Sequence, residues 1–230
     1  KSLTPGLILD LLKKDKFNLT IIQLDEGEVI PEKISNFDAM LCMGGPMDTW
    51  MEDKFKWLRE EKTKIKEFVV NLRKPYLGFC LGSQLLGEIL GGRIVKSNPP
   101  EIGILNIKMT KERNSDRIFA EFPKTIRALQ WHNYEVQGLE RNEHVKVIGS
   151  SLTTKYQIFK YMDFAYGIQF HTEIKNNAVY NLLKIPELKK SLVDNLGIEA
   201  IYKFHQDAEL NMQEMNKNAE TLYNNFKKII

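Results

Sequence analysis

Cys80 stands in the stretch Gly78-Phe79-Cys80-Leu81-Gly82-Ser83-Gln84, with one glycine two residues before it and another two after. A Gly-x-nucleophile-x-Gly pattern lets the backbone turn sharply and hold a reactive side chain clear of the sheet it leaves. Far along the chain His171 and Glu173 are two apart, so in an extended segment their side chains face the same way. Thiol, imidazole and carboxylate are the parts of a nucleophilic triad. The sulfur attacks, the imidazole takes a proton and returns it to a leaving amine, and the carboxylate fixes the tautomer and stabilises the imidazolium. Plainer readings exist, since a cysteine at a strand end usually packs and a His beside a Glu is usually a surface pair. The position of both at strand ends favours chemistry.

The elements that must position them follow from apolar spacing. Pro75 opens a run, Tyr76–Phe79, of the length and composition of a buried strand, and Leu85, Leu86, Ile89 and Leu90 then fall at helical spacing. Cys80 therefore sits at the joint of strand and helix. The first amides of that helix point at the thiol, favour thiolate, and can also hold a developing oxyanion. Residues 166–170 form another apolar run that leads straight into His171.

Around these two joints the chain alternates between strand and helix. Thr4-Pro5 predicts an N-cap and first turn for a helix whose apolar face is Leu7, Ile8, Leu11 and Leu12. Residues 19–24 alternate toward a strand, 27–31 read as a loop, and 37–43 form an apolar run ending at Gly44-Gly45-Pro46. Trp57, Ile65, Phe68, Val69 and Leu72 trace a helix that ends before Lys74-Pro75. The pattern predicts an α/β fold: three layers, a mostly parallel central sheet, and helices on both faces. In such sheets the site lies at the carboxyl ends of the strands, where Gly44-Gly45 and Cys80 both fall. After Gly91-Gly92 short strands at 94–95, 104–109, 127–131 and 144–148 predict a small antiparallel extension. Beyond Ile198 the positions Ile201, Phe204, Ala208, Met212, Met215, Ala219, Leu222, Phe226 and Ile229 predict one long amphipathic helix, or two broken near Asn211. If that stripe covers the chain's own sheet it is structural; left open, it predicts a homodimer or a docked partner.

Composition narrows the function classes. The 230 residues read as a single domain, with a core over about 4–185 and a C-terminal helical extension over about 187–230. Lys plus Arg at 33 against Asp plus Glu at 30 is too balanced to argue for nucleic acid or an anionic membrane surface. The two cysteines, Cys42 and Cys80, have neither zinc nor disulfide spacing, which predicts a reducing compartment and no metal. No run approaches the roughly 20 apolar residues of a membrane span, and no leader precedes Ser2, so a cytoplasmic protein is expected. No glycine loop ending in Lys-Ser or Lys-Thr cradles a phosphate, and no cofactor is expected.

Taken in order, Met43-Gly44-Gly45-Pro46-Met47, Gly78-Phe79-Cys80-Leu81-Gly82-Ser83-Gln84, Gly91-Gly92-Arg93, Glu101-Ile102-Gly103, Trp131-His132 and Gly167-Ile168-Gln169-Phe170-His171-Thr172-Glu173 form a specific set. The chain resembles the triad-type, class I glutamine amidotransferases, and among them a stand-alone branch most like the glutaminase domain of GMP synthase. The resemblance implies a flavodoxin-like α/β fold. It also implies that Cys80 attacks the side-chain amide of glutamine to give a thioester and release ammonia, with His171 as base and then acid and Glu173 as the orienting carboxylate. It implies backbone amides of Gly45 and Leu81 as the oxyanion hole, Gln84 as a residue that helps hold substrate, and His132 near the substrate-recognition loop.

Three departures from the family pattern bear on the outcome. Thr172 stands where the family usually has proline. Asn133-Tyr134 replaces a small residue and an aspartate after the recognition histidine. Family members also begin with a strand before the first helix, whereas Lys1 stands almost at that helix; residues preceding it are expected to supply the strand, because losing a central strand would unpair its neighbours. Three functions are consistent with these residues. One is a glutaminase passing ammonia to a synthase subunit. The second is a γ-glutamyl hydrolase or peptidase with a larger leaving amine, which Asn133-Tyr134 keeps open. The third is a non-catalytic regulatory module, against which an intact Cys, His and Glu weighs.

Overall fold

A computed structural model describes residues 5–175 and 178–230; the N-cap expected at Thr4 lies outside the described residues. Helix α1 (Gly6–Lys14) precedes strand β1 (Met40–Cys42), helix α2 (Trp57–Lys66) with a π-helical turn Glu67–Asn71, strand β2 (Tyr76–Phe79) and helix α3 (Leu81–Ile89). Long strands β3 (Arg93–Met109) and β4 (Thr125–Gln137) come next, then β5 (Val145–Ser150), β6 (Ile158–Tyr161) and β7 (Ala165–Ile168). Helices α4 (Ala178–Leu182), α5 (Pro186–Leu196) and α6 (Ala200–Phe226) follow. Among the described residues no helix is long and apolar enough to cross a membrane.

Among the described residues seven strands form one sheet in the order β1-β2-β7-β6-β5-β3-β4. The α/β architecture expected from the sequence is present. Its parallel part is β1, β2 and β7, and every other neighbouring pair is antiparallel, so the antiparallel portion is larger than the expected small extension. Only three residues join β6 to β7, and so short a connection can reverse the chain but cannot carry it over to a parallel strand. Residues 19–24 alternate as a strand would, yet form no ladder with any described residue; a single 3-10 turn, Leu24–Glu26, occupies their end. Alternation specifies which side chains share a face. It does not supply a neighbouring edge.

Period-two geometry divides the core between the faces of the sheet. Tyr76 and Ala165 point to a cluster with Leu58, Ile65 and Val69 of the α2 region and Leu81, Leu85 and Leu86 of α3. Leu77, Phe79, Tyr166 and Ile168 point the other way, toward Ile8 and Leu12 of α1 and Leu222, Tyr223 and Phe226 of α6. With both faces covered, β2 and β7 are buried throughout, which is why they read as continuous apolar runs. Helix α6 is unbroken at Asn211, whose side-chain oxygen accepts a hydrogen bond from Arg127 at 3.0 Å. Its stripe, including Phe204, Ala208, Met215, Ala219 and Leu222, is buried within this chain.

Candidate active site

The turn from β2 into α3 places Cys80 at the carboxyl end of the parallel strands. Its amide donates to the Ile168 carbonyl at 2.8 Å, tying it to β7, and its own carbonyl accepts from Gln84 N at 3.0 Å, starting the helix. The sharp conformation falls on the cysteine itself, at φ 49° and ψ −105°, a strained region for a residue with a side chain, costing about 1–3 kcal/mol. The flanking glycines serve a different need, close approach. A Cβ on Gly78 would stand 2.6 Å from the Gly82 carbonyl, and one on Gly82 would overlap the Cys42 carbonyl at the end of β1. Gly82→Ala is therefore expected to destabilise the fold by about 1–3 kcal/mol through overpacking against backbone, read as a lower urea midpoint with an unchanged slope.

His171 is fixed by the sheet. Beyond β7 the chain continues to an isolated antiparallel bridge with Leu129 of β4, closed by His171 N–H to Leu129 O at 2.9 Å and Leu129 N–H to His171 O at 3.0 Å. The Cys80 sulfur lies close enough to the ring to raise its affinity for a proton. Nδ1 donates to Glu173 Oε1 at 2.6 Å, and Glu173 Oε2 accepts from the Thr172 amide at 2.9 Å. With Nδ1 so engaged, Nε2 is left for the sulfur. Burial alone would push the imidazole down, but the Glu173 carboxylate and the Cys80 sulfur outweigh it, and the His171 pKa is pushed up to about 10. The ring thus holds its proton through neutral pH.

Gly45 packs beside the elbow: a Cβ there would lie 3.5 Å from Leu81 Cδ2, so the Leu81 side chain rests against the glycine turn. Gln84 and His132, expected near the substrate, are brought together around a single carbonyl. Gln84 Nε2 donates to Tyr134 O at 3.0 Å and to Gln169 Oε1 at 3.1 Å. His132 Nδ1 meets Tyr134 O at 3.0 Å and Nε2 meets Glu101 Oε2 at 3.1 Å. Both side chains are almost wholly buried, and their nitrogens are used within the fold to hold β4 against α3 and β3.

Two parts of this arrangement were not assigned a role from sequence. Glu101 lies directly across from His132 on β3 and β4 and accepts hydrogen bonds from Ser151, Thr153 and Gln157 as well. Burial would raise its carboxyl, but His132, Ser151 and Thr153 hold it below the usual carboxylate range. The other is Asn216 of α6, which donates to the carbonyl of Ile174, next to Glu173, at 2.8 Å. Its signal was an asparagine on the apolar face of a long helix, one turn from Met212 and Ala219.

Residues 5–181 match the family model for glutamine amidotransferase class-I. The chain is 31% identical over 194 residues to the glutamine amidotransferase-like protein YfeJ of Salmonella typhimurium, covering 83% of this chain and 79% of that protein. It is 32% identical over 172 residues to a glutamine-hydrolyzing GMP synthase subunit of Sulfolobus acidocaldarius, covering 72% of this chain and 84% of that one. A crystal structure of a glutamine amidotransferase from Thermotoga maritima superposes with a TM-score of 0.83 at 22% identity, over 98% of this chain and 95% of the other.

Proposed function

The chain belongs to the class I glutamine amidotransferases, and from that premise we propose that it hydrolyses the side-chain amide of glutamine through a thioester on Cys80. One observation carries the proposal: Cys80, far along the chain from the hydrogen-bonded His171–Glu173 pair, stands at the end of the parallel strands and acts on that imidazole. The thiol proton passes to His171, giving the imidazolium that the Glu173 carboxylate favours. The Cys80 sulfur attacks the amide carbon, and the backbone amides of Gly45 and Leu81 hold the oxyanion. His171 then gives its proton to the amide nitrogen, and ammonia leaves as the thioester forms. Water, deprotonated by the now neutral His171, attacks the thioester, and glutamate departs as the proton returns to the thiolate–imidazole pair. Among the relatives is one named as part of a GMP synthase, which supports an ammonia-accepting synthase as the partner.

One feature favours a second reading, a γ-glutamyl hydrolase. Tyr134, in place of the expected aspartate, packs edge-on against Trp50 with ring centroids 4.6 Å apart, and Trp50 is 48% exposed. An aromatic pair on the loop side suits a bulkier amine than ammonia. Initial rates with glutamine and with a γ-glutamyl dipeptide separate the two. Equimolar ammonia and glutamate from glutamine is the expected result; turnover of the dipeptide alone would transfer the assignment to the second reading. The regulatory-module alternative requires that neither substrate turn over.

A further inference from the structure

Glu173 lies on a segment, 172–175, that belongs to no helix or strand. Its carboxylate nonetheless stands 2.6 Å from Nδ1 of His171. A loop without a ladder must be fixed by other contacts, and two helices and the segment's own backbone supply them. The Leu7 amide of α1 donates to the Glu173 carbonyl at 2.7 Å, and Gly6 before it has no Cβ because one would overlap that same carbonyl. The Thr172 amide holds Glu173 Oε2. From α6, Asn216 Nδ2 donates to Ile174 O at 2.8 Å and reaches Thr172 O at 3.5 Å, so it touches the carbonyls on both sides of Glu173. The Ile174 side chain is buried in the apolar cluster that includes Phe204, Ala208 and Met215 of the same helix.

We propose that Asn216 is a positioning residue for the hydrolysis: by holding the carbonyls beside Glu173, it sets the reach of that carboxylate to His171. The proposal rests on reading Cys80, His171 and Glu173 as the triad. Thr172 makes the clamp necessary. A proline at 172 would lock φ but has no N–H, whereas Thr172 leaves φ free and spends its N–H on Glu173 Oε2. Backbone stiffness is thereby exchanged for hydrogen bonds, and Asn216 provides the side-chain bond that arrives from a different element.

Asn225 offers a control, because it makes the same kind of bond from the same helix, Nδ2 to Ile118 O at 2.8 Å, to a segment that carries no triad residue. Asn216→Ala is expected to lower kcat about tenfold or more, as small misplacements of reacting groups do. KM for glutamine should stay within about twofold, and the alkaline limb of kcat/KM should move to lower pH as Glu173 loses its hold on the imidazolium. Asn225→Ala should lose comparable thermal stability with kcat and the pH limb unchanged. Should Asn216→Ala not fold, Asn216→Ser, too short to reach Ile174 O, carries the same expectation. A normal kcat and pH limb in a folded Asn216 variant, or equal changes in Asn225→Ala, overturns the proposal. Native protein and Cys80→Ala are assayed alongside: an inactive native chain or an active Cys80→Ala would overturn the triad itself, whereas the reverse pair with a normal Asn216→Ala overturns only the role of Asn216.

Discussion

Cys80→Ala is expected to hydrolyse glutamine at least about 10⁴-fold more slowly than the native chain, because removal of a triad nucleophile leaves only binding and oxyanion stabilisation. The fold should survive. The backbone bonds of residue 80, to Ile168 and Gln84, do not involve the side chain, and alanine occupies less space at a half-buried turn. Cys42 cannot substitute. It is buried beneath α3 with its sulfur donating to Glu61 Oε1 at 3.0 Å, and burial together with the Glu61 charge pushes its thiol well above the ordinary range. Alkylation at neutral pH should accordingly attach one equivalent of iodoacetamide to the native chain and none to Cys80→Ala. An ammonia-release assay beside a thermal melt tests both statements. Residual activity within about tenfold of native, in a folded variant, would remove the cysteine from the chemistry.

Glu173→Gln should cost about 10³–10⁴-fold in kcat, for a reason visible in the hydrogen bonds. The Thr172 amide needs an acceptor where Glu173 Oε2 now stands, so the oxygen of a glutamine side chain would take that place and its NH₂ would face Nδ1. The ring would then carry its proton on Nε2, pointing at the sulfur and unable to receive one from it. The same change predicts a pH signature. With its partners in place His171 is pushed from its ordinary value of 6.5 up to about 10, a raised value. The stability it contributes is fully present below about pH 6.5, diminishes as pH rises through the window, and is gone above about 10. Glu173→Gln should show flatter stability against pH across that window, and its alkaline activity limb should fall to lower pH. An unmoved limb would mean that the carboxylate does not hold the imidazolium.

Much of this was legible before any coordinates. The elbow around Cys80 and the strand before His171 announce themselves because glycine spacing and fully buried strands are local properties of the sequence. Residues 19–24 show the boundary of that legibility: their alternation is real, but pairing depends on an edge that the local sequence does not reveal. The hairpin at β6 and β7 went unread because its first strand, around Ile158-Phe159, is short and joined to the next by only three residues. Gln84 was expected to help hold substrate and His132 to lie near the substrate-recognition loop; in the structure Gln84 Nε2 and His132 Nδ1 meet the Tyr134 carbonyl and His132 Nε2 meets Glu101. That use depends on the β3–β4 register, which shifts between Lys96 and Glu101 and so could not be counted along the chain. Asn216 is separated from Ile174 by more than forty positions, a distance over which periodicity carries no information.

The grip on the 172–175 segment comes from α1 and α6, and these two helices also grip each other: the Tyr223 hydroxyl donates to Asp15 Oδ2 at 2.6 Å, and Lys227 pairs with the same carboxylate. On a ribosome α1 emerges early and α6 late. A nascent polypeptide that already contains its cysteine, histidine and glutamate would still lack the helix that pins Ile174, so the 172–175 segment would gain its full set of contacts only once α6 is made.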